Sequence, residues 1–436
     1  MVRSGVAGGW YPVGEDMLAR DLSVEVPFNW NVPDGDKIRV FAREVRDAKL
    51  SAEAASKLPA IVYLQGGPGG KGGRPLARDA FLTAALKRFR VVLPDQRGTG
   101  RSAPVVGDDY KKLTPEESAL KLSCLRADSI IKDFEVIREE HFGGEKWWTI
   151  GQSYGGFLTL HYLSVAPEAI VASAITGGIP SIEPDPEEVY LATFSRVREK
   201  NKQFFVRFPH LRSRVDEIAD ILQKNEVYLP DGDRLTVRRF QTLGLALGMS
   251  NGFDRIHWLL DEAFADEEES LLSDTFLAEV GAITSYATNP LFMVLQESIY
   301  GAGPTQWSAT RELQKNPDFS EDARPLLFTG EMAFEWMADE IRALKPFAPG
   351  WKKLVEQEWP INLYDRDKLA ANEVPVEAVI YFDDMYVDAE LSLSTAKRVK
   401  NLNAWVTNEY EHDGIRVGKV VEKLFHNLEI RLNNVH

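Results

Sequence analysis

The segment Gly151-Gln152-Ser153-Tyr154-Gly155-Gly156 sets a serine at the centre of G-x-S-x-G, directly after the apolar run Trp147-Trp148-Thr149-Ile150. This spacing is that of a nucleophile elbow. A strand turns sharply into a helix, glycines at 151 and 155 let the backbone segments approach, and the Ser153 hydroxyl is presented at the helix N-terminus. A serine hydroxyl is a poor nucleophile at neutral pH. It needs an imidazole base, a carboxylate to orient that base, and N–H donors for the oxyanion.

The chain holds seven histidines. Where an elbow of this kind operates, the acid and the base follow the serine in chain order, near the C-terminus after the final core strands, and the late candidates are His412, His426 and His436. His412 lies in the polar stretch Glu409-Tyr410-Glu411-His412-Asp413-Gly414, just after the strand-like Ala404-Trp405-Val406-Thr407. His426 falls within the amphipathic run Val420 to Leu432, a surface helix position, and His436 is the last residue. His412 is therefore the expected base. For the acid, the apolar run Val379-Ile380-Tyr381-Phe382 reads as a buried parallel strand with Asp383 and Asp384 at its carboxyl end, where functional groups collect in open sheets. One of the two should orient His412. The oxyanion donors are expected from the loop Gln65-Gly66-Gly67-Pro68-Gly69-Gly70, which follows the buried-strand pattern Ala60 to Leu64. The Gly67 N–H is one candidate, and that of Tyr154, the residue after the nucleophile, is the other. A phosphate-binding reading of the same loop fails on spacing, because G-x-x-x-x-G-K-[ST] would begin on Gln65 and end on Gly72.

Several separated motifs together resemble the proline iminopeptidases (prolyl aminopeptidases), serine exopeptidases of the α/β-hydrolase fold. Gly66 to Gly70 is similar to that family's H-G-G-P-G-G loop, with Gln65 in the histidine position. Asp95-Gln96-Arg97-Gly98-Thr99-Gly100-Arg101-Ser102 is similar to its D-Q-R-G-x-G-x-S signature, and Gly151 to Gly156 fits its G-x-S-[WY]-G-G elbow. Aligning Asp384-Met385 with the family's catalytic aspartate leaves 28 residues to His412, close to the family spacing, and so the resemblance selects Asp384 over Asp383.

The resemblance also implies an acidic pocket for the substrate's ammonium group. Gln296-Glu297-Ser298-Ile299-Tyr300-Gly301 is similar to the family's E-N-H-Y-F segment, whose glutamate binds the amine, which nominates Glu297. A second acid is expected nearby, and Glu331 in Phe328-Thr329-Gly330-Glu331-Met332 is preferred to Glu335. Phe292, Tyr300, Trp307, Phe334 and Trp336 are aromatics that could hold a pyrrolidine ring.

The elements that must position these groups follow from hydrophobic period. Two alternating runs, Leu22 to Phe28 and Ile38 to Val45, read as an antiparallel hairpin. Buried-strand patterns recur at Ile61 to Leu64, Arg90 to Leu93, Trp148 to Ile150, Ala172 to Thr176, Ala378 to Phe382 and Ala404 to Thr407. With helical stretches between the earlier ones, about eight strands in a mostly parallel, doubly wound sheet are expected. Between Gly178 and about Pro346 the pattern turns almost wholly helical. The expected organisation is a hydrolase core at 1–178 and 347–436 with a helical cap at 179–346 inserted in it. Within the cap the acidic cluster Asp261-Glu262 and Asp266 to Glu269 reads as a solvated helix face.

At 436 residues and 44% hydrophobic the chain can bury a large core, and its formal charge of −15 disfavours nucleic-acid or anionic-membrane partners. The single Cys124 excludes an internal disulfide or a multi-cysteine metal site. No metal or organic cofactor is implied. The N-terminal residues lack a signal-type apolar stretch and no apolar run approaches the length of a membrane span, which makes a cytoplasmic enzyme the simplest expectation. The expected activity is release of an N-terminal residue, preferably proline, from small peptides with a free amino terminus. A carboxylesterase or amidase acting on uncharged substrates with the same three residues is the alternative, and a catalytically silent binding protein of this fold is a further one.

Overall fold

The hairpin expected near the N-terminus is longer than its alternating runs: strands Met17–Pro27 and Lys37–Asp47 pair antiparallel, with Leu22 opposite Ala42. The computed structural model describes residues 5–183, 185–358 and 362–433, so His436 lies outside the described residues. Among them, one sheet holds ten strands: β1 Val6–Ala7, β2 Tyr11–Val13, β3 Met17–Pro27, β4 Lys37–Asp47, β5 Ala60–Leu64, β6 Arg90–Pro94, β7 Trp147–Gln152, β8 Ile170–Thr176, β9 Val376–Tyr381 and β10 Leu402–Thr407. All eight expected strands are present. The two additional ones, β1 and β2, are short edge pieces on β3 that contain Pro12 and flank Gly8-Gly9. Strands so short carry no readable period, and proline is confined to such edges.

The strand order is β1-β3-β4-β6-β5-β7-β8-β9-β10, with β2 also on β3, and the pairs from β6 through β10 are parallel. Since β5 has β6 on one side and β7 on the other, the chain reverses its direction of travel across the sheet at β5. Ligands of open α/β sheets bind at that kind of point, beyond the carboxyl ends of the strands. Period-two alternation divides the core. Ile61 and Tyr63 face a cluster built with the terminal helix Val420–Asn433, through Val421, Leu424, Phe425 and Leu428. Ala60, Val62 and Leu64 face a second cluster, which takes in the helices Ala127–Phe142 and Tyr154–Val165 and continues into the insertion through Tyr190, Phe194 and Phe240.

Between β8 and β9 the chain is helical, led by Pro186–Arg207 and Leu211–Lys224 and followed by shorter pieces from Val237–Gln241 to Ala348–Leu354. The leading helix starts where Asp185 accepts from the Glu187 and Glu188 N–H groups and Pro186 occupies the first turn. Residues Asp266 to Glu269 do not form the expected helix face. They make a turn closed by the bridge between Phe264 and Leu272, in which the Asp266 carboxylate accepts the Ser270 and Leu271 N–H groups and Glu269 pairs with Arg214. A short acid that captures backbone N–H groups ahead of it favours turn over helix. Among the described residues no helix is long and apolar enough to cross a membrane.

Candidate active site

Strand pairing brings the chemistry to one edge of the sheet. Leu64 pairs with Gly151, Gln152 with Thr176, Thr176 with Val379 and Tyr381 with Thr407, so the segments leaving β5, β7, β8, β9 and β10 emerge side by side. They carry Gly67, Ser153, Gly177, Asp384 and His412 respectively.

The elbow itself is sterically determined. Ser153 sits at φ 57° and ψ −127°, a conformation that costs a non-glycine residue on the order of 1–3 kcal/mol and persists only where its surroundings enforce it. Its N–H donates to the Thr176 carbonyl at 3.1 Å, and its carbonyl accepts from Gly156 at 2.8 Å. A Cβ on Gly151 would stand 2.2 Å from the Gly155 carbonyl oxygen, and one on Gly155 would stand 1.8 Å from that of Leu64. Both glycines are required by close backbone approach.

His412 and Asp384 meet as expected. His412 Nδ1 lies 2.7 Å from Asp384 Oδ2, with both side chains buried, while Asp384 Oδ1 accepts the Tyr386 N–H at 2.8 Å and the Val387 N–H at 3.1 Å. Burial works against a charged imidazole, but the Asp384 charge and hydrogen bond, aided by Glu331, overcome it and raise the His412 pKa above its ordinary value. Asp383 stays partly exposed, and His426 is exposed on the terminal helix. The glycine-rich loop lies against the elbow: a Cβ on Gly66 would meet Ser153 Cβ at 3.3 Å. Tyr154 opens the helix after Ser153, and the N–H of a first helical residue has no partner within its helix.

The D-Q-R-G-x-G-x-S stretch turns out to hold this loop in place. Gln96 donates to the Gln65 carbonyl at 2.8 Å and accepts from the Gly70 N–H at 3.1 Å, and buried Asp95 accepts from the Gly72 N–H at 2.9 Å and from Arg74. Arg97 is buried in a two-pronged pair with Asp133, at 2.7 and 2.6 Å, and binds the Phe28 and Cys124 carbonyls. Cys124 is buried at the end of the helix Pro115–Ser123.

Of the two acids expected from the insertion, Glu331 acts on the His412–Asp384 pair, whereas the partners of Glu297 are residues of the insertion itself. Glu331 is partly buried, accepts from Gln296 Nε2 at 2.7 Å, and is pushed up to about 7 by burial, with the His412 charge and the Gln296 bond lowering it and Asp384 raising it. It therefore lies within electrostatic range of both His412 and Asp384. Glu297 is buried and accepts the Ala309 N–H at 3.0 Å near the start of the helix Ser308–Lys315, with Thr305 and Ser308 also acting on its carboxylate. Burial raises its pKa as well. Glu335 is exposed. Of the aromatics, Tyr300 bridges insertion and core, with its ring 6.3 Å from Phe157 of the elbow helix and 5.8 Å from Tyr190, and its hydroxyl accepts from Gln296 at 2.8 Å. Trp307 packs on Trp351 and Phe334 stacks near Trp336, both ordinary packing contacts. Gln296 is a residue the sequence reading passed over, although it is the neighbour of Glu297; it ties Glu331 to Tyr300.

A family model described as the alpha/beta hydrolase fold matches residues 59–276. A proline iminopeptidase of Aeromonas sobria is 42% identical over 415 residues, spanning 94% of this chain and 95% of that protein. The chain belongs to the proline iminopeptidase family. A second such relative, from Aspergillus aculeatus, is 33% identical over 94% of this chain and 93% of its own length. Among solved structures, an esterase from Thermogutta terrifontis superimposes with a TM-score of 0.42 at 11% identity, covering 95% of this chain and 99% of that one.

Proposed function

We propose that the chain removes N-terminal residues, preferably proline, from small peptides through a serine acyl-enzyme. His412 takes the proton of the Ser153 hydroxyl as Ser153 Oγ attacks the carbonyl carbon, and Asp384 holds the imidazole with its proton on Nδ1. The Gly67 and Tyr154 N–H groups bind the oxyanion. Collapse of the tetrahedral intermediate returns the proton from His412 to the departing amine. Water then cleaves the acyl-enzyme with His412 again as base, releasing the free amino acid.

The observation that carries this reading is the strained Ser153 elbow at the same sheet edge as the buried His412–Asp384 pair, 2.7 Å apart, in a chain 42% identical to a proline iminopeptidase; Glu331 acts on that pair from the insertion. In an N-terminal residue only the α-carbon separates the ammonium from the attacked carbonyl, so an acid this near the base selects for that residue. Glu297, buried and within electrostatic range of Tyr300, supplies further negative potential. Residues 179–346 act as the cap that limits substrate length and excludes water. The single cysteine, Cys124, suits action in the cytoplasm.

Cleavage of a free prolyl amide, its N-acetylated counterpart and a short-chain neutral ester tests the proposal. The free amide should be strongly preferred. Removing one partner of a desolvated charge pair costs roughly 2–5 kcal/mol, so Glu331→Ala and Glu297→Ala should each lower kcat/KM for the free amide by about 30-fold to several thousand-fold and leave the ester nearly unchanged. Equal cleavage of free and acetylated amides by the wild type would replace the aminopeptidase reading with the carboxylesterase one.

A further inference from the structure

Three successive residues of the loop that carries the imidazole are each fastened to the insertion. Glu411 accepts two hydrogen bonds from Lys200 Nζ, at 2.6 and 2.8 Å, the His412 N–H donates to the Gly248 carbonyl at 3.2 Å, and Asp413 Oδ1 accepts from the Ser250 N–H at 2.9 Å and its hydroxyl at 2.6 Å. Lys200 stands out among these groups. It lies in the middle of the helix Pro186–Arg207 with its side chain only 3% exposed, whereas Glu411 is 32% exposed. A lysine is rarely so deeply buried, and removing one member of a buried pair leaves the other charge uncompensated.

Asp384 approaches His412 from the segment after β9, Glu331 from the insertion and Asp413 from its own loop, with the Tyr386 ring 4.6 Å from the imidazole, and Glu411 is the residue that precedes His412 in the chain. Of these acids Lys200 pairs with Glu411. We propose that Lys200 is a positioning residue for His412: through Glu411 it anchors the loop to the cap helix and cancels a carboxylate that would otherwise add to the negative field on the imidazole. Burial raises the Glu411 carboxyl, and the Lys200 charge and hydrogen bond offset part of that rise. The cap thereby sets the basicity of the group that acts on Ser153, in addition to covering it. This inference rests on His412 being the base.

The test reads the imidazole directly and then through catalysis. The His412 ring would be titrated by NMR in a Ser153→Ala background, and the acidic limb of kcat/KM measured with Ser153 intact. Lys200→Met exposes His412 to an unbalanced Glu411, so its pKa should rise by on the order of half a unit to one unit. Glu411→Gln leaves Lys200 unbalanced and should lower it by a similar amount, and the double variant should return close to wild type. A purely structural pair would reduce stability or activity at every pH without these opposite shifts, and unchanged titrations in folded variants overturn the proposal. If Lys200→Met does not fold, Glu411→Gln and the double variant still carry the sign. If the ring shifts as expected while the kinetic limb stays fixed, the charge coupling stands and His412 is not the base.

Discussion

Asp384 holds His412 from a fixed position: Oδ2 takes the imidazole at 2.7 Å, while Oδ1 is bound by two backbone N–H groups, those of Tyr386 and Val387. A carboxylate clamped at both oxygens cannot swing away from the ring, so it keeps the Nδ1–H tautomer and leaves Nε2 as acceptor.

Replacing that carboxylate with an amide should therefore act on the tautomer. Asp384→Asn is expected to lose on the order of 10⁴ in kcat, as removal of a triad carboxylate does elsewhere. Asp383→Asn, at a partly exposed position, should cost far less. Steady-state kinetics on both variants decide the matter, and equal losses would reassign the acid.

Ser153→Ala and His412→Ala should each abolish nearly all turnover, and the double variant should be no worse than either. Groups that act as one unit give losses that do not add, with single removals costing on the order of 10⁶ in a comparable triad. Losses that multiplied would mean two independent contributions.

Gly155→Ala is a stability prediction from geometry. Its Cβ would stand 1.8 Å from the Leu64 carbonyl oxygen, a contact with backbone on both sides that cannot yield without moving β5 against the elbow. Urea denaturation should show a loss of at least about 3 kcal/mol, at or beyond the upper end of ordinary overpacking costs. Gly73→Ala, with nothing near its Cβ, should stay within about 0.5 kcal/mol of wild type.

What the chain disclosed in advance follows the range of the interactions concerned. The strands β5, β7 and β9 were legible because fully buried parallel strands read as apolar runs, and the places of Ser153 and Asp384 because each follows such a run; β10, which precedes His412, is a half-exposed edge strand that Trp405 and Val406 made readable. The strands β1 and β2 were too short to show a period. The turn at Asp266 looked like a helix face because charge patterning alone does not reveal which backbone N–H a side chain will capture. Lys200 could not be paired with Glu411 beforehand, since 211 residues separate them and only the packing of the helix Pro186–Arg207 against the loop after β10 brings them together. Glu297 was nominated from its neighbours in sequence, but the bond it accepts from the Ala309 N–H depends on how the following helix folds back.

Glu331 ties stability to pH in a direction opposite to that of most carboxylates. Its carboxyl is raised from the ordinary 4.5 to about 7 by burial, so the folded protein holds this proton more tightly than the unfolded chain does. The stabilisation associated with the neutral acid is complete below about 4.5 and is lost as the pH rises through about 7, where the folded state must carry a buried charge. Glu331→Gln never acquires that charge and can still bond to Gln296. Its melting temperature relative to wild type should therefore climb between pH 4.5 and 7 and level off above, even as its activity on free-amine substrates falls. A prolyl ligand with a protonated amine should narrow the difference at pH 8 by stabilising the wild type selectively, whereas its N-acetylated form should not. Differential scanning fluorimetry across pH measures all of this, and a difference that stayed flat from pH 4.5 to 8 would mean that Glu331 titrates as an ordinary solvated acid, without the desolvation that an ammonium pocket requires.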